Sequence, residues 1–152
     1  MTPELILKRT HSQDSDFKEL VKLLDADLVI RDGDEHEFYN QFNKLDAIKH
    51  VVVAYEKGEA VGGGGIKKYA AGVVEVKRMF VKADNRGKGI AAKIISELEN
   101  WTRELSYEKC ILETGIRQPE AIALYKKCGY KIIPNYGQYR DAPNSVCFEK
   151  FL

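Results

Sequence analysis

Apolar and polar positions along the chain divide it into short alternating runs and longer helical stripes. From Glu4 to Thr10, Leu5 and Leu7 alternate with polar neighbours, which predicts a first strand. Phe17, Leu20, Val21 and Leu24 then recur at helical spacing, with Ser12 or Asp14 placed to cap the helix. Asp25 to Glu37 is acidic, contains Arg31 and Gly33, and is expected to be a loop leading into a second helix around Phe38, Tyr39 and Phe42. His50 to Glu56 is strongly β-forming, and Lys57-Gly58 turns the chain into a strand that includes Gly62 to Gly65. Ala70-Ala71-Gly72 turns it again, into a strand from Val73 to Val81. Three strands with such short connections predict an antiparallel meander.

Beyond the meander the period changes to that of a helix. Ile90, Ile94, Leu98, Trp101 and Leu105 form one stripe. Lys109 to Glu113 reads as a strand, parallel to its predecessor if the helix is a crossover. Pro119 suits the first turn of a further helix, whose inner face is Ala121, Leu124, Tyr125 and Cys128, with Gly129 as its C-terminal cap. Tyr130 to Pro134 and Ser145 to Phe151 would close the sheet as an antiparallel pair. There is no repeat, low-complexity tract or linker, so residues 1–152 are expected to form a single α+β domain, a mixed, mostly antiparallel sheet flanked by helices.

The junction between strand and stripe carries the chemistry. In Val81-Lys82-Ala83-Asp84-Asn85-Arg86-Gly87-Lys88-Gly89-Ile90-Ala91, two glycines at alternate positions allow close backbone approach to a ligand. The N–H groups and positive dipole end of the following helix suit a phosphate. A Rossmann site would need this loop after a first strand, with an acid about twenty residues on. A P-loop would need Gly-x-x-x-x-Gly-Lys-Ser/Thr, which neither this segment nor Gly62 to Lys68 supplies.

Composition narrows the partners. The 152 residues carry a formal net charge of +1, with acids and bases interleaved, which argues against a nucleic-acid surface. No apolar run reaches transmembrane length, and Met1-Thr2-Pro3-Glu4 does not resemble a signal peptide. Cys110, Cys128 and Cys147 are odd in number and lack zinc-ligand spacing, so free thiols in a cytoplasmic protein without a metal are expected. His11, His36 and His50 form no pattern with one another or with cysteine.

On two motifs the chain resembles the GNAT N-acetyltransferase superfamily. Glu75-Val76-Lys77-Arg78-Met79-Phe80-Val81 followed by Arg86-Gly87-Lys88-Gly89-Ile90-Ala91 is similar to the family's strand and pyrophosphate loop. Ala121-Ile122-Ala123-Leu124-Tyr125-Lys126-Lys127-Cys128-Gly129-Tyr130 is similar to its Ala-x-x-Leu-Tyr-x-x-x-Gly-Phe/Tyr segment. The likeness runs from about His50 to the end; the first third agrees only in element order. One departure is Gln118, where relatives often carry Asn; Gln offers the same hydrogen-bonding groups on a longer stem.

The resemblance implies a GNAT-like fold and acetyl-CoA as co-substrate. Met79 and Val81 would pair with the pantetheine arm as an added strand. Amides from Gly87 to Ala91, including those of Lys88, Gly89 and Ile90, would cradle the pyrophosphate, with charge from Arg86 and Lys88. An N–H near Met79 or Phe80 would stabilise the oxyanion of direct amine attack. Gln118 is a further candidate CoA contact. Glu75 is the candidate base, its alternative being an exposed cross-strand partner for a lysine. The resemblance assigns Tyr125 as proton donor to the leaving thiolate; otherwise it is a core-edge aromatic. Cys128 is read as packing.

Gly62 to Gly65 could mark a β-bulge or make room for an acyl group, the bulge being the better reading. Asp25, Asp27, Asp32, Asp34, Glu35 and Glu37 could receive a cationic amine or form a solvated loop. Tyr136, Tyr139 and Arg140 lie where a loop could close the pocket, with Arg140 a candidate partner for a substrate carboxylate. The expected function is N-acetyl transfer to a small-molecule amine, without nucleic-acid or membrane partners. A homodimer is compatible with this. The alternatives are a protein N-terminus or lysine acetyltransferase, a non-catalytic acyl-CoA-binding module, and a nucleotide-binding protein using the same loop.

Overall fold

The structure is a computed structural model, and it describes residues 4–33 and 48–152. Strand β1 (Leu5–Thr10) leads into helix α1 (Ser15–Asp32), and the meander follows as β2 (His50–Glu56), β3 (Glu59–Ala70) and β4 (Val73–Val81). A 3-10 turn at Ala83–Asn85 and the glycine loop precede α2 (Ile90–Glu104). Next come β5 (Lys109–Gly115), α3 (Pro119–Lys127), β6 (Lys131–Ile133), a second 3-10 turn (Gly137–Tyr139) and β7 (Ser145–Phe151). The seven strands form one sheet in the order β1-β2-β3-β4-β5-β7-β6, antiparallel except for β4 beside β5.

The sheet is covered on both faces, which explains why β2 reads as a continuous apolar run. Val51 and Val53 pack with Phe17, Leu20 and Val21 of α1, whereas Val52 and Ala54 join the cluster containing Ile90, Ile94 and Leu98 of α2. The predicted α2 stripe holds from Ile90 to Leu98; Trp101 is half-buried, and Leu105 lies just past the helix, largely exposed.

Helix α1 departs from the expectation of a loop beginning at Asp25. Asp14 caps it, Oδ1 accepting from the amides of Asp16 at 2.9 Å and Phe17 at 3.1 Å. The helix then continues through the acidic run to Asp32. An i,i+4 pair between Asp27 and Arg31 at 2.9 Å, and a contact from Asp25 to Arg78 of β4, turn acids that would favour a solvated loop into helix-stabilising groups. The predicted helix around Phe38, Tyr39 and Phe42 lies outside the described residues, as do His36, Asp34, Glu35 and Glu37.

Two irregularities in the sheet position the site. Parallel pairing of β4 with β5 is confined to Val73, Val74 and Glu75 against Lys109, Cys110 and Ile111; beyond Glu75 the strands no longer pair. Opposite that opening, Gly65 pairs with Lys77 and Gly63 with Phe80, so Arg78 and Met79 together face the single residue Gly64. This is a β-bulge, as expected from the glycine run, and Arg78 adopts a left-handed backbone with φ of 60°. The space at Gly64 is taken by protein: a Cβ there would stand 2.2 Å from Met79 Sδ.

Candidate active site

Two cavities meet where β4 and β5 part. The longer groove is lined by Met79, Phe80 and Val81 of β4, Asn85, Arg86, Gly87 and Gly89 of the loop, Ile90, Ala91 and Ala92 of α2, and Gln118, Leu124 and Tyr125 around α3. Gly87 and Gly89 take φ of +79° and +78°, a conformation that would cost a side-chain-bearing residue roughly 1–2 kcal/mol, and a Cβ at either would meet nothing within 4 Å. No side chain caps α2 at Gly89 and its first turn carries no acid, so the orphan N–H groups of that turn have no described partner side chain. An open turn of amides at a positive dipole end, beside an unpaired strand stretch, fits a pyrophosphate with an extended arm.

Ten of the predicted cofactor contacts can now be located. Met79, Phe80, Val81, Arg86, Gly87, Gly89, Ile90, Ala91 and Gln118 line the groove. Lys88 does not line it: its ammonium turns to Glu56 Oε1 at 3.5 Å on the surface. Arg86 lies in the groove wall, with Nε donating to the Val81 carbonyl at 2.9 Å and the guanidinium over the Phe80 ring.

The second cavity holds the candidate chemistry. Glu75, Lys77, Arg78 and Met79 line one side, Glu113, Thr114 and Gly115 of β5 another, with Gln118, Tyr125, Tyr139, Leu24 and Leu28 completing it. Met79, Gln118, Ala121, Tyr125 and Leu24 belong to both cavities, so the two communicate across the inner face of α3.

Glu75 is only 1% exposed. Tyr136 donates to its Oε2 at 2.6 Å, while Oε1 accepts no hydrogen bond from the described residues and has Lys67 and Lys77 ammonium groups 4.0 Å away. Lys67 is indeed its cross-strand partner, but burial sets Glu75 apart from an exposed surface pair. Lys77 donates to the Tyr139 hydroxyl at 3.3 Å, and burial pulls its pKa below the ordinary lysine value despite the opposing effect of Glu75. Tyr125 is buried against Tyr130 and Phe148, and burial raises its pKa well above the usual phenol value. The same cause raises Tyr136 and Tyr139.

The model of the "Acetyltransferase (GNAT) family" matches residues 17–130. This chain belongs to the GNAT family. An IAA acetyltransferase of Azospirillum brasilense is 37% identical over 102 residues, covering 66% of this chain and 67% of that protein. The chain thus spans about two thirds of that relative's length. A Klebsiella pneumoniae structure described as an acyl-CoA N-acyltransferase superposes with a TM-score of 0.81 at 30% identity, covering 97% of each chain. A PaiA N-acetyltransferase of Thermoplasma acidophilum, solved with coenzyme A, shares the fold at a TM-score of 0.70 and 15% identity, covering 98% of this chain and 99% of that one. The GNAT match begins at residue 17, so it takes in α1 as well as the two motifs downstream of His50. Membership makes the chain an N-acetyltransferase of the acetyl-CoA-dependent class. Among the described residues no helix is long and apolar enough to cross a membrane, and none group as a metal site.

Some of the contacts around Glu75 could not be read from the sequence. Tyr136 is 61 residues from Glu75, with two helices and two strands between them, and nothing local marks the pairing. Arg78 and Lys77 sit inside the quoted motif, yet both are buried by distant partners, Arg78 at Asp25 of α1 and Lys77 at Tyr139. Only the glycine run opposite gave a signal. Arg140 is exposed and lines neither cavity. Asp25 and Asp27 are engaged by Arg78 and Arg31, whereas Cys128, at the end of α3, lines the groove.

Proposed function

We propose that this enzyme acetylates the primary amine of a small molecule by direct attack in a ternary complex. The observation that carries the reading is that Glu75 and Tyr125, a buried carboxylate and a buried phenol, line one cavity that opens into the groove. That cavity is small, about 120 Å³, which suits a compact acceptor better than a folded protein surface.

The groove residues Gly87 to Ala91 would hold the pyrophosphate and the β4 edge at Met79 and Val81 the pantetheine arm. Bound acetyl-CoA supplies the activated acyl group. An alkyl amine with a pKa near ~10.4 enters mostly as a cation. Glu75 takes a proton from the ammonium, directly or through water, and passes it to solvent. The free amine then attacks the thioester carbon, and as the N–C bond forms its nitrogen gives a second proton to Glu75. Tyr125 gives its proton to sulfur as the C–S bond breaks. Solvent then removes the proton from Glu75 and restores one to Tyr125, leaving an amide and a thiol.

The test is acceptor-dependent thiol release across a panel of small amines and N-terminal peptides, alongside CoA binding. Release with small amines is expected. Tight CoA binding without release from any acceptor would refute transfer, and release from peptides alone would move the acceptor to protein termini.

A further inference from the structure

We propose that the acceptor cavity takes an amine that also carries an anionic group, a carboxylate or a phosphate, with Arg78 as the anchor for the anion. The inference rests on the acetyl-transfer reading above for its amine.

The Arg78 side chain is 2% exposed, and among the described residues only its Nη2 is engaged, by Asp25 Oδ1. Its Nε and Nη1 are buried and have no hydrogen-bond partner among the described residues. A guanidinium does not shed its proton, so these N–H groups stay as donors under all ordinary conditions. Buried donors of a charged group are almost always satisfied, and leaving them open is costly unless a ligand completes them. Asp25 does not fill this role, because it approaches from α1 with a half-exposed side chain and engages a single nitrogen.

The backbone supplies an independent reason. In a regular strand Arg78 would point away from Lys77 and Met79, onto the opposite face. The bulge breaks that alternation by setting Arg78 and Met79 together opposite Gly64, and both line the cavity. A non-glycine residue is thereby held with φ of 60°, the kind of strain retained at binding sites.

The cavity contains a second orphan of opposite sign. Glu75 Oε1 is buried and accepts no hydrogen bond from the described residues. An unfilled acceptor and unfilled donors lining one cavity complement a ligand with an amino group at one end and an anion at the other. Glu75 and Arg78 lie three residues apart on one strand, so their Cα atoms are at most about 10 Å from each other. A ligand small enough for this cavity of about 120 Å³ carries the two groups only a few bonds apart, as in amino acids and short amino phosphates. Leu24 and Leu28 form an apolar wall for whatever side chain the acceptor bears.

The experiment compares matched acceptors: an amino acid, its carboxamide, its decarboxylated amine and an amino phosphate. Each is measured by thiol release for wild type and Arg78→Asn, the latter chosen because Asn tolerates a left-handed backbone. Each is also measured by calorimetric binding to the CoA-loaded protein. Wild type is expected to favour the carboxylate or phosphate compound over its neutral analogues by about tenfold or more in kcat/KM and in binding, the effect of one charge-assisted hydrogen bond. The arm that responds names the anion. Arg78→Asn should erase the preference while its Kd for CoA stays unchanged. Equal handling of charged and neutral analogues by wild type overturns the proposal, as does a preference that survives in a folded Arg78→Asn protein. Wild-type comparison alone decides if the variant does not fold. Charge-dependent binding without turnover would uphold the anion site while refuting transfer, so the two readings fail separately.

Discussion

Replacing Tyr125 by Phe separates its chemistry from its packing. The ring lies 5.8 Å from that of Tyr130 and 5.9 Å from that of Phe148, contacts that Phe retains. No described group hydrogen-bonds the hydroxyl, so removing it strands no partner, and the stability change should stay below about 1 kcal/mol. The groove loses one polar atom of a residue that is 7% exposed, so CoA affinity should change less than about threefold. Catalysis should suffer far more. A positioned proton donor contributes about 10²- to 10⁴-fold, so a loss of at least about 100-fold in kcat, near 2.7 kcal/mol of barrier, is expected. The assay is thiol release at saturating acetyl-CoA, with Kd for CoA by calorimetry and Tm as controls. Unchanged transfer would reduce Tyr125 to an aromatic of the core edge. Parallel loss of binding and transfer would make it a groove-shaping residue.

Glu75→Gln should lower kcat, with the deficit shrinking as pH rises toward ~10.4 and the amine sheds its own proton; an unchanged pH–rate profile would remove Glu75 as base. Tyr136→Phe deletes the 2.6 Å bond to Glu75 and should cost about 1.5–3 kcal/mol in urea unfolding while sparing CoA affinity; unaltered stability would show that bond to be worth little. Gly89→Ala imposes a Cβ at φ of +78° and should lose roughly 1–2 kcal/mol of stability together with CoA affinity; wild-type CoA binding would mean that the loop does not cradle the cofactor. Stability should also fall as pH rises above about 10, because Tyr125, Tyr130, Tyr136 and Tyr139 all have pKa values raised by burial and keep protons that the unfolded chain has lost. Lys77 acts with the opposite sign between its lowered value and ~10.4, where the unfolded chain holds the extra proton. Chemical denaturation from pH 8 to 11 reads the balance, and a rise above pH 10 would contradict the burial of the phenols.

Local pattern proved sufficient wherever a residue's fate depends on its neighbours in the chain. The bounds of β4 and β7, Pro119 at the start of α3 and the left-handed Gly129 after it all follow from short-range rules. The run from Asp25 defeated such reading because what holds it helical is partly distant: Asp25 is engaged by Arg78, 53 residues away, and Arg31 reaches both Asp27 and Glu120. The same holds at the site. The loop and the Leu124-Tyr125 helix identify a donor because they are contiguous motifs, whereas the acceptor side is assembled across the gap where β4 leaves β5. Met79 there fills the place a side chain at residue 64 would need, so the absence of a Cβ at Gly64 is what permits the bulge's packing. Gly64 thus sets how Met79 and Arg78 are presented, one to the groove proposed for the cofactor and both to the cavity proposed for the acceptor. A side chain introduced at residue 64 should therefore disturb both substrates at once, an outcome that no change confined to the glycine loop or to Arg78 alone would produce.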